Sequence, residues 1–163
     1  MYRIGQGYDV HRLVPGRDLR LCGIKVPYEL GLLGHSDADV AIHALCDAIL
    51  GALAMRDIGY HFPDTSEEYS GADSKLLLAR VCEMMRDAGR EICNVDITIC
   101  AQRPKLSGYI GEMSETLAEV LGVDSGRVSV KATTTEHLGF TGRGEGISAL
   151  AVATLSDSGS CRE

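Results

Sequence analysis

No stretch of this sequence approaches the roughly 18 uncharged apolar residues that a membrane-crossing helix needs, so a bilayer-spanning role is not expected. The opening Met1-Tyr2-Arg3-Ile4-Gly5 lacks the charged-then-apolar pattern of a secretion signal and the Arg/Ser-rich pattern of a transit segment, which makes the cytoplasm the expected location. Cations are scarce: 16 Lys and Arg stand against 23 Asp and Glu, for a formal net charge of −7. That balance argues against nucleic acid as a partner, because non-specific binding to it draws on a basic surface. The six cysteines include no C-x-x-C pair, and most lie in apolar runs, so free buried thiols are expected in place of disulfides or a thiolate metal site. A P-loop, and a G-x-G-x-x-G after a strand, are both missing.

What is present is an alternation of two patterns. Apolar, β-branched runs at 4–13, 19–26, 92–100, 128–135 and 147–155 predict strands. Between them, a 3.6-residue apolar stripe through Val40, Ala41, Ala44, Leu45, Ala48, Ile49 and Ala52 predicts a helix over 36–54, with Ser36 as its N-cap. Two further helices are predicted over 74–88 and 108–121, each stopped by a glycine. The expected fold is α+β: a small mixed β-sheet with three helices on one face. Continuous apolar strands around Ile97 and Ala149 imply burial of the opposite face as well, which calls for another subunit. A single domain over 1–157 is expected, with 158–163 as a disordered tail and the polar stretch 62–73 as a mobile loop.

Four constellations carry chemistry. In Asp9-Val10-His11, strand alternation puts Asp9 and His11 on one face about 7 Å apart; such a pair is half a site for a divalent cation, or an ordinary surface pair. In His35-Ser36-Asp37-Ala38-Asp39 with His43, residues 39 and 43 share a helical face, and Asp47 extends the row by a turn. Asp9, His11 and His43 together make two imidazoles and a carboxylate, a set suited to catalytic zinc, with manganese or cobalt also acceptable to a thiolate-free site. Asp39 or Asp47 is a candidate to orient His43. Lys131-Ala132-Thr133-Thr134-Thr135-Glu136 offers hydroxyl donors for phosphate oxygens and a carboxylate for magnesium, although threonine is also simply a good strand former. Ala101-Gln102-Arg103-Pro104-Lys105-Leu106 could hold a phosphate or a base edge at a strand end, or be a capped loop.

These segments, in this order, resemble the cyclodiphosphate synthases of the non-mevalonate isoprenoid pathway. The matching strings are G-Y-D-V-H, G-L-L-G-H-S-D-A-D-V-A-I-H-A-L, D-I-G-Y-H-F-P-D-T, G-A-D-S, N-V-D-I-T-I, A-Q-R-P-K and K-A-T-T-T-E-H-L-G-F-T-G-R-G-E-G-I, reaching from about Gly5 to Ile147. The resemblance implies conversion of 4-diphosphocytidyl-2-C-methyl-D-erythritol 2-phosphate to the cyclic diphosphate with release of CMP. It implies zinc on Asp9, His11 and His43, a second ion (magnesium or manganese) on Glu136, and transition-state stabilisation by His35 and Thr134. The substrate-binding set it implies begins with Asp9, Val10, His11, His35 and Ser36. To these it adds Asp57, Ile58 and Gly59 for the methylerythritol moiety, with Phe62, Pro63, Asp64, Thr65 and Ser66 nearby. Ala101, Gln102, Arg103, Pro104, Lys105, Leu106 and Ser107, with Thr133, Thr134 and Thr135, form the implied cytidine diphosphate pocket, and Glu136 is a further implied substrate contact. A homotrimer with active sites between subunits is implied too, its second sheet faces turned inward and Phe140 and Arg143, the last of the implied binding residues, near the three-fold axis. Two rival readings are a trimeric metal-containing sensor and a metal-dependent phosphohydrolase; the latter would release inorganic phosphate.

Overall fold

The protein, seen here in a computed structural model, is described over residues 1–63 and 71–160. In chain order its elements are β1 (Arg3–Pro15), β2 (Leu19–Leu21), β3 (Ile24–Val26), β4 (Leu30–Leu32), α1 (Val40–Leu53), α2 (Ile58–His61), α3 (Ser74–Asp87), β5 (Arg90–Cys100), α4 (Ile110–Leu121), β6 (Val128–Thr133), α5 (Gly139–Gly142) and β7 (Gly146–Asp157). Five strands form one mixed sheet in the order β4-β1-β7-β5-β6. All its pairings are antiparallel except β5–β6, whose crossover through α4 makes them parallel. The helices α1, α3 and α4 lie side by side over one face of this sheet, as expected for an α+β fold.

Period-2 alternation decides which side chains meet that helical layer. On β1 the odd-numbered positions turn inward, and two of them are glycine because α1 crosses there in contact. A Cβ added at Gly7 would lie 1.9 Å from the Ala44 carbonyl oxygen, and one at Gly5 1.9 Å from that of Ala48. Ile97, Ile99, Ala149, Ala151 and Ala153 complete the floor of the core, all fully buried. α1 itself is buried nearly all round, which suits its central place between sheet and neighbouring helices.

Four expectations need correction. The run 19–26 is a hairpin, not one strand: Cys22 (φ 54°) and Gly23 (φ 82°) reverse the chain between β2 and β3, as a two-residue turn with both φ positive does. Ser36 does not cap α1. Asp39 does, accepting from the Ile42 N–H at 3.1 Å, and its other contacts (2.9 Å from Cys22 N, 2.6 Å from Gly23 N) bolt the hairpin to the helix start. Thiols are free at Cys22, Cys46, Cys82 and Cys100, but Cys93, half-buried beside the β5 bulge, is disulfide-bonded. The second sheet face is also less uniform than expected: on β5 it carries Asn94, Asp96, Thr98 and Cys100, while β1 and β7 expose Ile4 (72%), Tyr8 (51%), Val10 (44%) and Val152 (38%). The short elements β4, α2 and α5 were not foreseen, each being three or four residues long and so below the reach of periodicity.

Candidate active site

The glycine floor has a consequence one turn along α1. With Gly5 under Ala48 and Gly7 under Ala44, the next inward positions of β1, Asp9 and His11, come beneath the first turn of the helix, where His43 points down. The Asp9 Oδ2 atom lies 3.0 Å from His11 Nε2 and 3.1 Å from His43 Nδ1, and the two ring nitrogens are 3.1 Å apart. Among the described residues these three form a cluster whose ligand-type atoms all lie within 4.8 Å of one another.

The far side of each ring decides which nitrogen faces the cluster. His11 Nδ1 is 2.8 Å from the Leu33 carbonyl, so it carries the proton and donates, leaving the Nε2 lone pair inward. His43 Nε2 lies 3.0 Å from Ser74 Oγ and 3.2 Å from Ser36 Oγ, leaving Nδ1 to the cluster. Ser74 Oγ in turn donates to Asp37. Burial pushes the Asp9 carboxyl up, but hydrogen bonds and charge from His11 and His43 outweigh it and hold Asp9 well below the ordinary range. Burial likewise pulls His11 down, and the Asp9 carboxylate more than restores it, leaving the imidazole above its ordinary value of 6.5. Three lone-pair atoms converging at such distances repel unless a cation or proton lies between them. Ligands about 2.0–2.1 Å from a tetrahedral zinc are roughly 3.3 Å apart, so the donor set fits a zinc-sized ion.

Around this cluster lies a cavity of about 260 Å³ whose walls also include Gly34, His35, Ser36, Ile58, Gly59, Phe62 and Leu77. Asp57 caps α2 by accepting from Tyr60 N, and Asp47 accepts from Ile58 N at 2.8 Å. Neither Asp47 nor Asp39 orients His43: that work falls to Ser36 and Ser74, with Asp37 behind Ser74. Val10 points to the opposite sheet face and takes no part in the cavity wall. Pro63 closes the first described segment, and Asp64, Thr65 and Ser66 lie outside the described residues.

A second, larger cavity of about 740 Å³ opens at the ends of β5 and β6. Its walls are the run from Ala101 to Ser107, with Ile110, and the β6 residues from Val130 to Thr134. It joins an apolar floor (Ala101, Leu106 and Val130 are buried) to the cations Arg103, Lys105 and Lys131. Thr134 Oγ1 donates to Glu136 Oε1 at 2.8 Å, and Glu136 and His137 both hold positive φ, 51° and 63°. Such backbone strain in non-glycine residues concentrates at functional sites. Thr135 turns aside to donate to the Leu138 carbonyl, Phe140 lies on α5, and Arg143 is paired with Glu145 at 2.6 Å.

The two cavities do not merge within one chain. The register runs Asp9 to Ala149, Ala149 to Ile99 and Ile99 to Ala132, which separates the metal-type cluster from the β6 threonines by three strand spacings, roughly 14 Å. Residue types and strand alternation made Asp9, His11 and His43 findable from the sequence. Ser74 and Asp37 carry no comparable signal, since serine before an apolar run reads first as a helix cap.

The YgbB family model matches residues 2–156. The 2-C-methyl-D-erythritol 2,4-cyclodiphosphate synthase of Parabacteroides distasonis is 61% identical over 158 residues, 97% of this chain and 98% of that protein. Among solved structures, a Plasmodium falciparum IspF in complex with CDP superposes with a TM-score of 0.84 at 34% identity, covering 96% of each chain. The bifunctional IspDF of Campylobacter jejuni superposes with a TM-score of 0.93 at 42% identity, covering 96% of this chain and 42% of that one.

Proposed function

The chain belongs to the YgbB family, and from that membership we propose that it converts 4-diphosphocytidyl-2-C-methyl-D-erythritol 2-phosphate to 2-C-methyl-D-erythritol 2,4-cyclodiphosphate, releasing CMP. The observation that carries this reading is the convergence of Asp9, His11 and His43 at the wall of a cavity shared with His35, Ser36 and Gly59. The substrate's 2-phosphate attacks its own β-phosphorus, so no side-chain nucleophile is needed; alignment and charge neutralisation suffice.

Each group has a part in that alignment. Asp9, His11 and His43 would hold zinc, and Glu136 a magnesium or manganese ion, which when bound supply fixed positive charge to the diphosphate oxygens. His35 donates to the phosphoryl oxygens on which charge develops, and Thr134 would do so with the hydroxyl proton that Glu136 gives up when its carboxylate takes an ion. Asp57, Ile58 and Gly59, with Phe62 and Pro63 and the following Asp64, Thr65 and Ser66, receive the methylerythritol part. The cavity walled by the run from Ala101 to Ser107 and by Thr133 and Thr134 receives the cytidine diphosphate, with Arg103 and Lys105 offsetting phosphate charge. Thr135 supports that wall from the β6 end.

A homotrimer completes the site in this reading. The roughly 14 Å between the two cavities of one chain is relieved if one subunit's nucleotide cavity adjoins its neighbour's metal-type cluster. The exposed Ile4, Tyr8, Val10 and Val152 are then the faces that meet, with Phe140 and Arg143 near the axis. No helix of the described chain is long and apolar enough to cross a membrane, in keeping with a proposed cytoplasmic place in isoprenoid precursor synthesis.

Phosphorus NMR of the protein with the substrate and magnesium, with and without a chelator, tests the assignment. Chelator-sensitive growth of CMP and a cyclic diphosphate is the expected result. Release of inorganic phosphate would mean a phosphohydrolase, and an unchanged spectrum with substrate bound a sensor.

A further inference from the structure

Arg17 lies just beyond β1, outside both cavities, and none of the roles above uses it. Its half-buried side chain reaches across to the loop before α1, where Nη1 donates to the Gly34 carbonyl at 3.1 Å and Nη2 to the Ser36 carbonyl at 2.6 Å. These are the two carbonyls on either side of His35. The carbonyl of His35 itself accepts from Gly71 N at 2.9 Å, so three successive carbonyls of the loop are occupied. Leu33, just before them, is fixed by its N–H to the Arg12 carbonyl and by its own carbonyl, which accepts from His11 Nδ1.

The His35 side chain contrasts with its backbone. It is exposed, and among the described residues no hydrogen bond or ion pair to its ring appears. Its direction into the cavity therefore depends on the peptide planes around it: Arg17 holds the 34–35 plane through the Gly34 carbonyl and the 36–37 plane through the Ser36 carbonyl, and the Gly71 N–H holds the 35–36 plane between them. A planar guanidinium is suited to that task, because two of its N–H groups diverge at a fixed angle, whereas an ammonium is a single point donor.

We infer that Arg17 is a positioning residue for the proposed reaction: its guanidinium splints the 34–36 peptides so that His35 and Ser36 meet the substrate's phosphoryl oxygens preorganised. This rests on the function proposed above. An open cavity of about 570 Å³, walled in part by Gly16, Arg17, Asp18 and Asp37, lies on the outer side of the splint and gives small cations access to it.

Arg17→Ala tests the inference through kcat, KM, zinc content and the imidazole nitrogen NMR signals of His35. Misplacing a reacting or stabilising group by about 1 Å can cost 100-fold. The expected result is a kcat lowered about 10- to 100-fold, with KM within about two-fold and zinc stoichiometry equal to the parent. Millimolar guanidinium should restore several-fold of the lost kcat and sharpen the broadened His35 signals, while tetramethylammonium, which has no N–H, should do neither. Arg17→Lys should fall between parent and alanine variant. Parental kcat in Arg17→Ala overturns the inference. So does a loss that comes with zinc release or a lower Tm and that guanidinium leaves untouched, because the residue is then a general support. If the parent protein itself forms no cyclic diphosphate, the proposed reaction fails, and the guanidinium response of the His35 signals still decides whether Arg17 orders the loop.

Discussion

At the scale of single residues, the site depends on which nitrogen of each histidine is left free. His43→Ala removes one of three converging ligands at a position where the surrounding helix is already packed. It should lose stoichiometric zinc while keeping the parental circular dichroism spectrum, and full zinc retention would sink the ligand assignment. Ser74→Ala acts one bond further out, freeing His43 Nε2 from its 3.0 Å partner. Metal affinity should drop about 10- to 100-fold, the range for such outer partners, as read by competition with a chromophoric chelator. The cluster also sets opposite pH trends for the metal-free and metal-loaded protein. His11 is raised above 6.5, so its contribution to metal-free stability is complete below 6.5 and vanishes as pH rises through the folded value. Asp9 is depressed below 3.8, so its contribution is present above 3.8 and is lost as pH falls toward the folded value. The Tm of the metal-free protein should therefore gain from this cluster most between these two limits. The extra Tm conferred by zinc should grow as pH rises through the range in which His11 loses its second proton, because protons and metal compete for His11. A zinc increment that shrinks as pH rises from about 5 to about 8 would contradict the cluster's chemistry.

At the scale of elements, two contacts hold the site's frame. The first is the glycine face of β1 against α1. Gly7→Ala drives a methyl group to within 1.9 Å of the Ala44 carbonyl, and neither backbone can yield without moving the strand that carries Asp9. Overpacking of this kind costs about 3 kcal/mol or more, and thermal melting should show a Tm lower by roughly 6–12 °C for a chain of this size. The second is the Asp39 bolt between α1 and the β2–β3 hairpin. Both carboxylate oxygens accept there, from three backbone N–H groups. Asp39→Asn turns one acceptor into a donor facing an N–H, which costs about 1–3 kcal/mol. Burial pushes the Asp39 carboxyl up against the pull of those same N–H groups, so the ion is held by geometry and not by a partner charge. These positions show why the sequence signal was partial: Asp39 was legible as a residue of interest, but its i, i+4 spacing to His43 pointed to the wrong partner, because helix periodicity does not register a hairpin 16 residues upstream.

At the scale of the whole molecule, the sheet presents a second face on which Ile4, Tyr8, Val10 and Val152 are open to solvent. Apolar side chains grouped on one sheet face mark an interaction surface. Light scattering should give three chains per particle. Tyr8→Asp, which sets a charge in the middle of that face, should shift the population toward monomer and remove cyclisation while leaving zinc bound. A parental protein that scatters as a clean monomer would leave the separation of the two cavities without a remedy.

Much of this protein was determined by its sequence alone. Period-2 and period-3.6 patterns are local and strong enough to place β1, β5, β6, β7 and the three long helices, and the residue types of Asp9, His11 and His43 mark them as a ligand set. The run 101–107 with Thr133 and Thr134 stood out only through the family resemblance of its strings, since by residue type a capped loop and a threonine-rich strand fit as well. Only the tertiary structure decided the rest, because it turns on contacts between residues distant in the chain. Ser74, not Asp47, stands behind His43; the run 19–26 folds back on itself; Arg17 brackets His35; and the two cavities lie three strands apart. Side-chain periodicity reports which face a residue is on, whereas a hydrogen bond across 31 positions, such as His43 to Ser74, exists only once packing has set two helices side by side.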